Sequence, residues 1–283
     1  MSTPRDIDNL LEEIITLPSL PATLARIVQL LNDPDMSLHD VGKAITADPA
    51  ISLKTLRLAN SASYGLRERV TSVEHAVALL GAKVIQNLVL TATVFETLSS
   101  GASHLFRHSI AVGLAARSVV RAGGTALALE PEEAFVYGLL HDIGKIVLED
   151  YMAEDLSQAE ELSRTQRIPA YAAEREVIGA DHAEIGGRLA QNWRLPDSIA
   201  AAILAHHDLS RCDDSEHCRF AAVLNVADAM CIAAGLPSFE GAVADDSSES
   251  WRLLGVANSQ IPAILDEFFA SLPEVEELTE AMS

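Results

Sequence analysis

Apolar residues return every three to four positions through nearly the whole chain, and residues with capping chemistry punctuate them. After Ser19 and Pro21 come Leu24, Ile27, Val28 and Leu31, which fall on one face of a helix. Ser37 and Asp40 stand three apart like a capping box, and Val41 and Ile45 carry the apolar stripe onward. Asp48-Pro49 reads as a helix start, because the aspartate can accept from first-turn amides and the proline has none to satisfy. Ser72 opens Val73, Ala76, Val77 and Leu80, and Gly81 stops that run. Toward the far end Ile261, Ile264, Leu265, Phe268, Phe269 and Leu272 keep helical spacing, and Pro273 is expected to close the helix. Alternating patterns bounded by hairpin turns are absent. The expectation is an all-α protein, a multi-helix bundle with an N-terminal helical subdomain packed against it.

The pattern divides the chain into three regions. Residues 1–98 hold several short capped helices, residues 99–236 hold most of the histidines, and residues 237–283 form a C-terminal loop and helices. That loop is the serine- and acid-rich stretch Asp245-Asp246-Ser247-Ser248-Glu249-Ser250. Short helices cannot bury all their apolar stripes among themselves, so residues 1–98 are expected to dock on the histidine-bearing helices rather than fold alone.

Composition narrows the function classes. The chain has 283 residues, of which 49% are hydrophobic and 22% charged, a globular composition large enough to fold without a disulfide or metal. Forty-one acidic residues against twenty basic ones leave a formal net charge of −21, which repels phosphate backbones and anionic lipid headgroups. General nucleic-acid binding and membrane-surface binding are therefore not expected. No apolar run reaches the about 18 residues of a membrane span, and the first residues lack a basic stretch followed by an apolar core. Cys212, Cys218 and Cys231 make no closed disulfide framework and no Cys-x-x-Cys, which fits a reducing cytoplasm. The stretch from Cys212 to Cys218, with His217, reads as a polar loop, since its spacing matches no zinc pattern.

Five of the 9 histidines fall into one constellation: His108, His141, His182 and the adjacent His206-His207. Asp142 follows His141 directly, and Asp228 lies about twenty residues past the histidine pair. Each stands in an apolar run, such as Phe135 to Leu140 before His141 or Ala221 to Ala234 around Asp228. Taken singly, a core histidine is more often a hydrogen-bonded packing residue than a ligand. Taken together, seven buried ionisable groups cost too much unless they pair or converge on metal. Imidazoles with carboxylates and no thiolate suit one or two divalent ions drawn from Fe, Mn, Zn, Ni or Mg. His39, His75 and His217 fit no such pattern, and His104, one turn before His108, has only helical spacing to commend it.

At these residues the chain resembles a known superfamily. Leu139-Leu140-His141-Asp142-Ile143-Gly144-Lys145 looks like the central motif of the HD metal-dependent phosphohydrolases. Phe106-Arg107-His108-Ser109 resembles their first histidine, and Val226-Ala227-Asp228-Ala229 their final aspartate. The resemblance implies that His108, His141, Asp142 and Asp228 bind one metal, and that His182, His206 and His207 complete a second site, as in the HD-GYP branch. It also implies that Lys145 faces a substrate phosphate, so that Lys145 and Asp142 are the residues a catalytic reading would use. The N-terminal half is similar to the HDOD domain through Leu17-Pro18-Ser19-Leu20-Pro21-Ala22, Asp48-Pro49-Ala50-Ile51-Ser52, Leu56 to Gly65 and Ala76 to Gly81. The likeness covers about residues 14–210 and implies a signal-output module acting through a signalling protein partner. The alternative it implies is an active phosphohydrolase on a nucleotide or phosphoester. After His206-His207 the chain runs Asp208-Leu209-Ser210-Arg211, with no Gly-Tyr-Pro, so hydrolysis of cyclic di-GMP is not expected.

Overall fold

The computed structural model describes residues 103–282 continuously and, before them, residues 49–61 and 69–81 with isolated positions between 25 and 90. Among the described residues there are α-helices and short 3-10 turns and no strand. The N-terminal pair is α1 (Pro49–Ala59) and α2 (Val73–Leu80). Then come α3 (Ser103–Gly123), α4 (Pro131–Leu140), α5 (Ile143–Tyr151), α6 (Ala153–Gln166) and α7 (Ala170–Val177). The chain continues with α8 (His182–Asn192), α9 (Asp197–Ala205), α10 (Ser215–Ala233), α11 (Ser248–Leu254) and α12 (Ile261–Met282). None of these is long and apolar enough to cross a membrane.

The capping chemistry is realised where it can be seen. Ser72 accepts from the His75 amide at 3.2 Å and Gly81 ends α2 with φ of +85°. α1 begins at Pro49, whereas Asp48 and the Ser37–Asp40 box lie outside the described residues. Of the helix expected after Ser19, only Ala25, Arg26 and Gln29 are described, and they are helical.

α3 is the spine. Ile110, Val112, Leu114, Ala116 and Val119 point to different sides of it, and all are fully buried, as a helix enclosed on every face requires. It packs against α4, α10 and α12. Its crossing with α4 is a backbone contact, since a Cβ on Gly138 would overlap the backbone of Gly113. A second close approach sets α5 against α8: a Cβ on Gly144 would overlap the carbonyl oxygen of His182. Glycine in the His141-Asp142-Ile143-Gly144 turn thus decides how near His182 comes to Asp142.

Pro273 does not close the last helix. α12 runs through it to Met282, because Val275 and Leu278 beyond the proline are buried in the core. Arg117 meets Glu274 at 3.1 Å and Arg107 meets Glu276 at 2.7 Å, which pins the same segment to α3. Tertiary burial outweighs the lost amide donor. α1 packs on α2 and on α12, and Tyr64 lies close enough to Glu132, at the start of α4, for that carboxylate to help raise the phenol's pKa after burial. Cys212 and Cys218 are joined in a disulfide, with Cα atoms 5.6 Å apart, which departs from the expectation drawn from cysteine number alone. The 3-10 turn at Leu209–Arg211 and the Asp214 cap of α10 fold the intervening loop back on itself. Cys231 is free and buried.

Candidate metal centre

Five elements deliver the seven groups to one place. α3 carries His108; the tight junction between α4 and α5 carries His141 and Asp142; α8 opens with His182; the C-terminus of α9 carries His206 and His207; and α10 carries Asp228. α8 starts where it does because Asp181, itself fully buried, caps it by accepting from the Glu184 amide at 2.7 Å. His108, His141, Asp142, His182 and His206 are each 2% exposed or less, and Asp228 is 5% exposed.

Asp142 lies at the centre. Its Oδ2 is 3.5 Å from His108 Nε2 and 3.4 Å from His141 Nε2, and its Oδ1 is 3.2 Å from His182 Nε2. Asp228 Oδ1 is 3.2 Å from His108 Nε2. On the far side His182 Nε2 stands 3.3 Å from His206 Nε2 and 3.1 Å from His207 Nε2. The side chains form two groups, His108, His141 and Asp142 in one and His182, His206 and His207 in the other, each tight enough for a single ion.

The ring tautomers make this arrangement chemically specific. His108 Nδ1 donates to the Leu236 carbonyl at 2.7 Å, His141 Nδ1 to Gly138 at 2.7 Å and His206 Nδ1 to Ile203 at 2.6 Å. A carbonyl can only accept, so the proton of each neutral ring sits on Nδ1 and Nε2 keeps a bare lone pair. His182 Nδ1 lies 2.7 Å from Glu174 Oε2, which also accepts from the His182 backbone amide at 2.8 Å. The Nε2 atoms of His182 and His206 therefore meet lone pair to lone pair, a contact that only a cation or a proton between them makes favourable. His108 Nε2, His141 Nε2, Asp142 Oδ1 and Asp228 Oδ1 are likewise buried without a hydrogen bond. Buried polar atoms left in this state are rare unless something else satisfies them. The donor set and its backing partners have the form of a metal site, with each imidazole oriented from behind.

Electrostatics separates the two groups. Burial works to raise Asp142, but the imidazole of His141 and the ammonium of Lys145 hold its carboxyl well below the usual range. Burial likewise opposes ionisation of Asp228, which nonetheless falls to about 2 beside His108 and His141. His141 is raised, because Asp142 overcomes the opposite push of burial. His206 drops to about 3 and His207 falls well below 6.5, through burial first and then through neighbouring imidazoles.

Lys145 is only 7% exposed, and its Nζ donates to Asp142 Oδ2 at 2.8 Å and to Ser238 Oγ at 2.9 Å. It also lines a cavity of about 290 Å³ with Ser238, Glu149 and Glu160. His75 is exposed and His217 lies at the start of α10, both away from the cluster. The side chains of His39 and His104 lie outside the described residues. Four partners carry no local signal in the sequence: Glu174 behind His182, the Leu236 carbonyl behind His108, Ser238 on Lys145, and Asp245, whose Oδ2 is 3.5 Å from His207 Nδ1. Asp245 belongs to the acid-rich loop, which folds back against the histidines.

Comparison with known proteins accords with this geometry. Residues 17–209 match the HDOD domain family. A solved HDOD domain protein of unknown function from Geobacter sulfurreducens superposes with a TM-score of 0.78 at 27% identity, covering 97% of both chains. A candidate phosphohydrolase from Shewanella amazonensis SB2B shares the fold with a TM-score of 0.78 at 22% identity, over 97% of this chain and 98% of that one. Among curated proteins, an uncharacterised protein of Treponema pallidum (strain Nichols) is 28% identical over 222 residues, 74% of this chain. The match is 43% of that relative's length, so the chain spans less than half of it.

Proposed function

The chain belongs to the HDOD family, and from that premise we propose that it is a metal-binding signal-output module. His108, His141, Asp142 and Asp228 hold one divalent ion, and His182, His206 and His207 hold a second. The reading rests above all on the Nε2 atoms of His182, His206 and His207, which face one another at 3.1 and 3.3 Å while Nδ1 of His182 and of His206 is committed to an acceptor. Mixed imidazole and carboxylate donors without thiolate favour Fe, Mn, Zn, Ni or Mg. Elemental analysis of the full chain, purified without chelator and again after reconstitution, tests this; no metal in either preparation refutes it.

In this reading the histidine-bearing half is a scaffold stiffened by its ions, and residues 1–98 meet a protein partner. Support comes from the contact of α1 with α12 and from the approach of Tyr64 to Glu132, on the helix leading into His141 and Asp142. The module is expected to work in the cytoplasm, which fractionation of cells producing the full chain checks.

A second reading, hydrolysis of a nucleotide or simpler phosphoester, is favoured by one observation: Lys145 and Ser238 line a cavity beside the centre. Bound divalent ions polarise phosphoryl oxygens and acidify water. The chain's own part would be for Asp142 to tie the two groups together and for Lys145 to offset charge on a phosphate. Two of the three Lys145 donors are already engaged by Asp142 and Ser238, which weighs toward the scaffold. A phosphoester and nucleotide panel decides, with Lys145→Ala and His141→Ala as controls. Cyclic di-GMP should not be turned over, and robust cleavage of it would mean that Gly-Tyr-Pro after His207 is not needed for that reaction.

A further inference from the structure

The His182–His206–His207 group opens to solvent through a mouth of distinct chemistry. A cavity of about 390 Å³ lies against His206 and His207, and Asp208, Asp245, Asp246 and Glu249 line it. Among the described residues no lysine or arginine lines it. Arg211, adjacent in the chain, is engaged by Asp181 at 3.2 Å and Asp208 at 3.4 Å. An anionic ligand entering here would meet four carboxylates, whereas a cation would be drawn in by the field they focus.

Inside the mouth stands a group that calls for a ligand-side role. The His207 side chain is 7% exposed, and its Nδ1 makes no hydrogen bond, although Nδ1 of each of the other four rings has an acceptor within 2.7 Å. Asp245 Oδ2 lies 3.5 Å from it. Asp245 is itself fixed, accepting from Asn225 Nδ2 at 3.0 Å and from the Asp246 amide at 2.8 Å. Asn225 is steadied by Ser250 Oγ at 2.8 Å, and the Tyr171 ring stacks on His207 with centroids 4.7 Å apart. A carboxylate held behind an imidazole makes the opposite ring nitrogen a better donor to metal.

We propose that the acidic cavity over His207 is the entrance through which a divalent cation reaches the His182–His206–His207 group, and that Asp245 is the positioning residue for His207. The proposal rests on the reading of those three histidines as ligands. It adds a route and a residue; Asp245, Asp246 and Glu249 lie after residue 209, beyond the part of the chain that matches the family.

The test uses the full chain stripped of metal and titrated with Zn²⁺ alone. Equilibrium binding is read from competition with a chromophoric chelator, and association from stopped-flow competition with a fluorescent indicator. Two exposed substitutions, D246N and E249Q together, should slow association by at least about threefold at low ionic strength, with the difference vanishing in high salt and the number of bound ions unchanged. D245N should weaken the second ion about 10- to 100-fold, and D245E should restore most of that loss. Association by D246N/E249Q at the wild-type rate, or slowing that salt does not remove, overturns the entrance. Unchanged affinity in D245N, or no recovery in D245E, overturns the role of Asp245. Wild-type protein that binds only one ion overturns this inference together with the two-ion reading, whereas two ions with unaltered variants overturn this inference alone.

Discussion

The two halves of the centre solve the same burial problem in opposite ways. Around His108 and His141, two carboxylates face two imidazoles and Lys145 sits on Asp142, so unlike charges compensate one another inside the protein. Around His182, His206 and His207, imidazole faces imidazole, and the carboxylate oxygen facing an Nε2 is Asp142 Oδ1, 3.2 Å from His182. The first half can persist as an ion-pair network. The second brings the Nε2 lone pairs of His182 and His206 within 3.3 Å of each other. The backing partners differ in part: backbone carbonyls hold His108, His141 and, in the second half, His206, while Glu174 stands behind His182 and Asp245 near His207. An all-imidazole group suits Zn or Ni, and a carboxylate-bearing one tolerates harder ions such as Mn or Mg.

The largest expected effect comes from Asp142→Ala, which removes the group shared by both halves. It leaves Lys145 buried without its carboxylate partner, a loss of about 3 kcal/mol or more, and should abolish metal content. Melting temperature and elemental analysis read it; a fall in neither would mean that the two halves are ordinary packing. Next, single changes should divide the centre: His141→Ala removes one ion and His206→Ala removes the other. Loss of both ions from His206→Ala would erase the distinction drawn here.

Acid should also separate the halves in metal-free protein. Unfolded His206 takes a proton near 6.5, whereas the folded residue takes one only near 3. Between those values the unfolded chain binds more protons, so stability is fully present above about 6.5 and declines as pH falls toward 3. From pH 6.5 to pH 5 the cost is up to about 2 kcal/mol. Thermal melts at the two pH values should show it, and the slope should flatten in His206→Ala. His141, raised by Asp142, acts in the other sense: its contribution is present in acid and is lost as pH rises through its elevated value.

Separating residues 1–98 from 99–283 compares the N-terminal region with the centre. The first fragment should be unstable alone, because α1 in the whole chain is packed against α12. A monomeric, cooperative fragment as heat-resistant as the full chain would remove the physical basis for coupling. The smallest effect belongs to Tyr64→Phe, which takes the hydroxyl away from Glu132 and should cost no more than about 1 kcal/mol with metal content unchanged.

Periodicity and capping residues were enough to read an all-α chain, to start α1 at Pro49 and to bound α2 by Ser72 and Gly81, because caps and apolar stripes act within a few residues. The candidate ligands were legible for a related reason: a charged group inside an apolar run is conspicuous wherever it ends up. What holds those ligands was not legible. Glu174, the Leu236 carbonyl, Ser238 and Asp245 reach the centre from loops and from a neighbouring helix, and nothing in their local pattern distinguishes them from solvated polar residues. The path of α12 through Pro273 and the pairing of Cys212 with Cys218 were decided in the same way, by contacts and loop folding that sequence spacing does not encode. Local chemistry is written in neighbouring residues. The division of the centre into a charge-compensated half and an imidazole-on-imidazole half exists only once five helices bring distant side chains within 3.5 Å of one another.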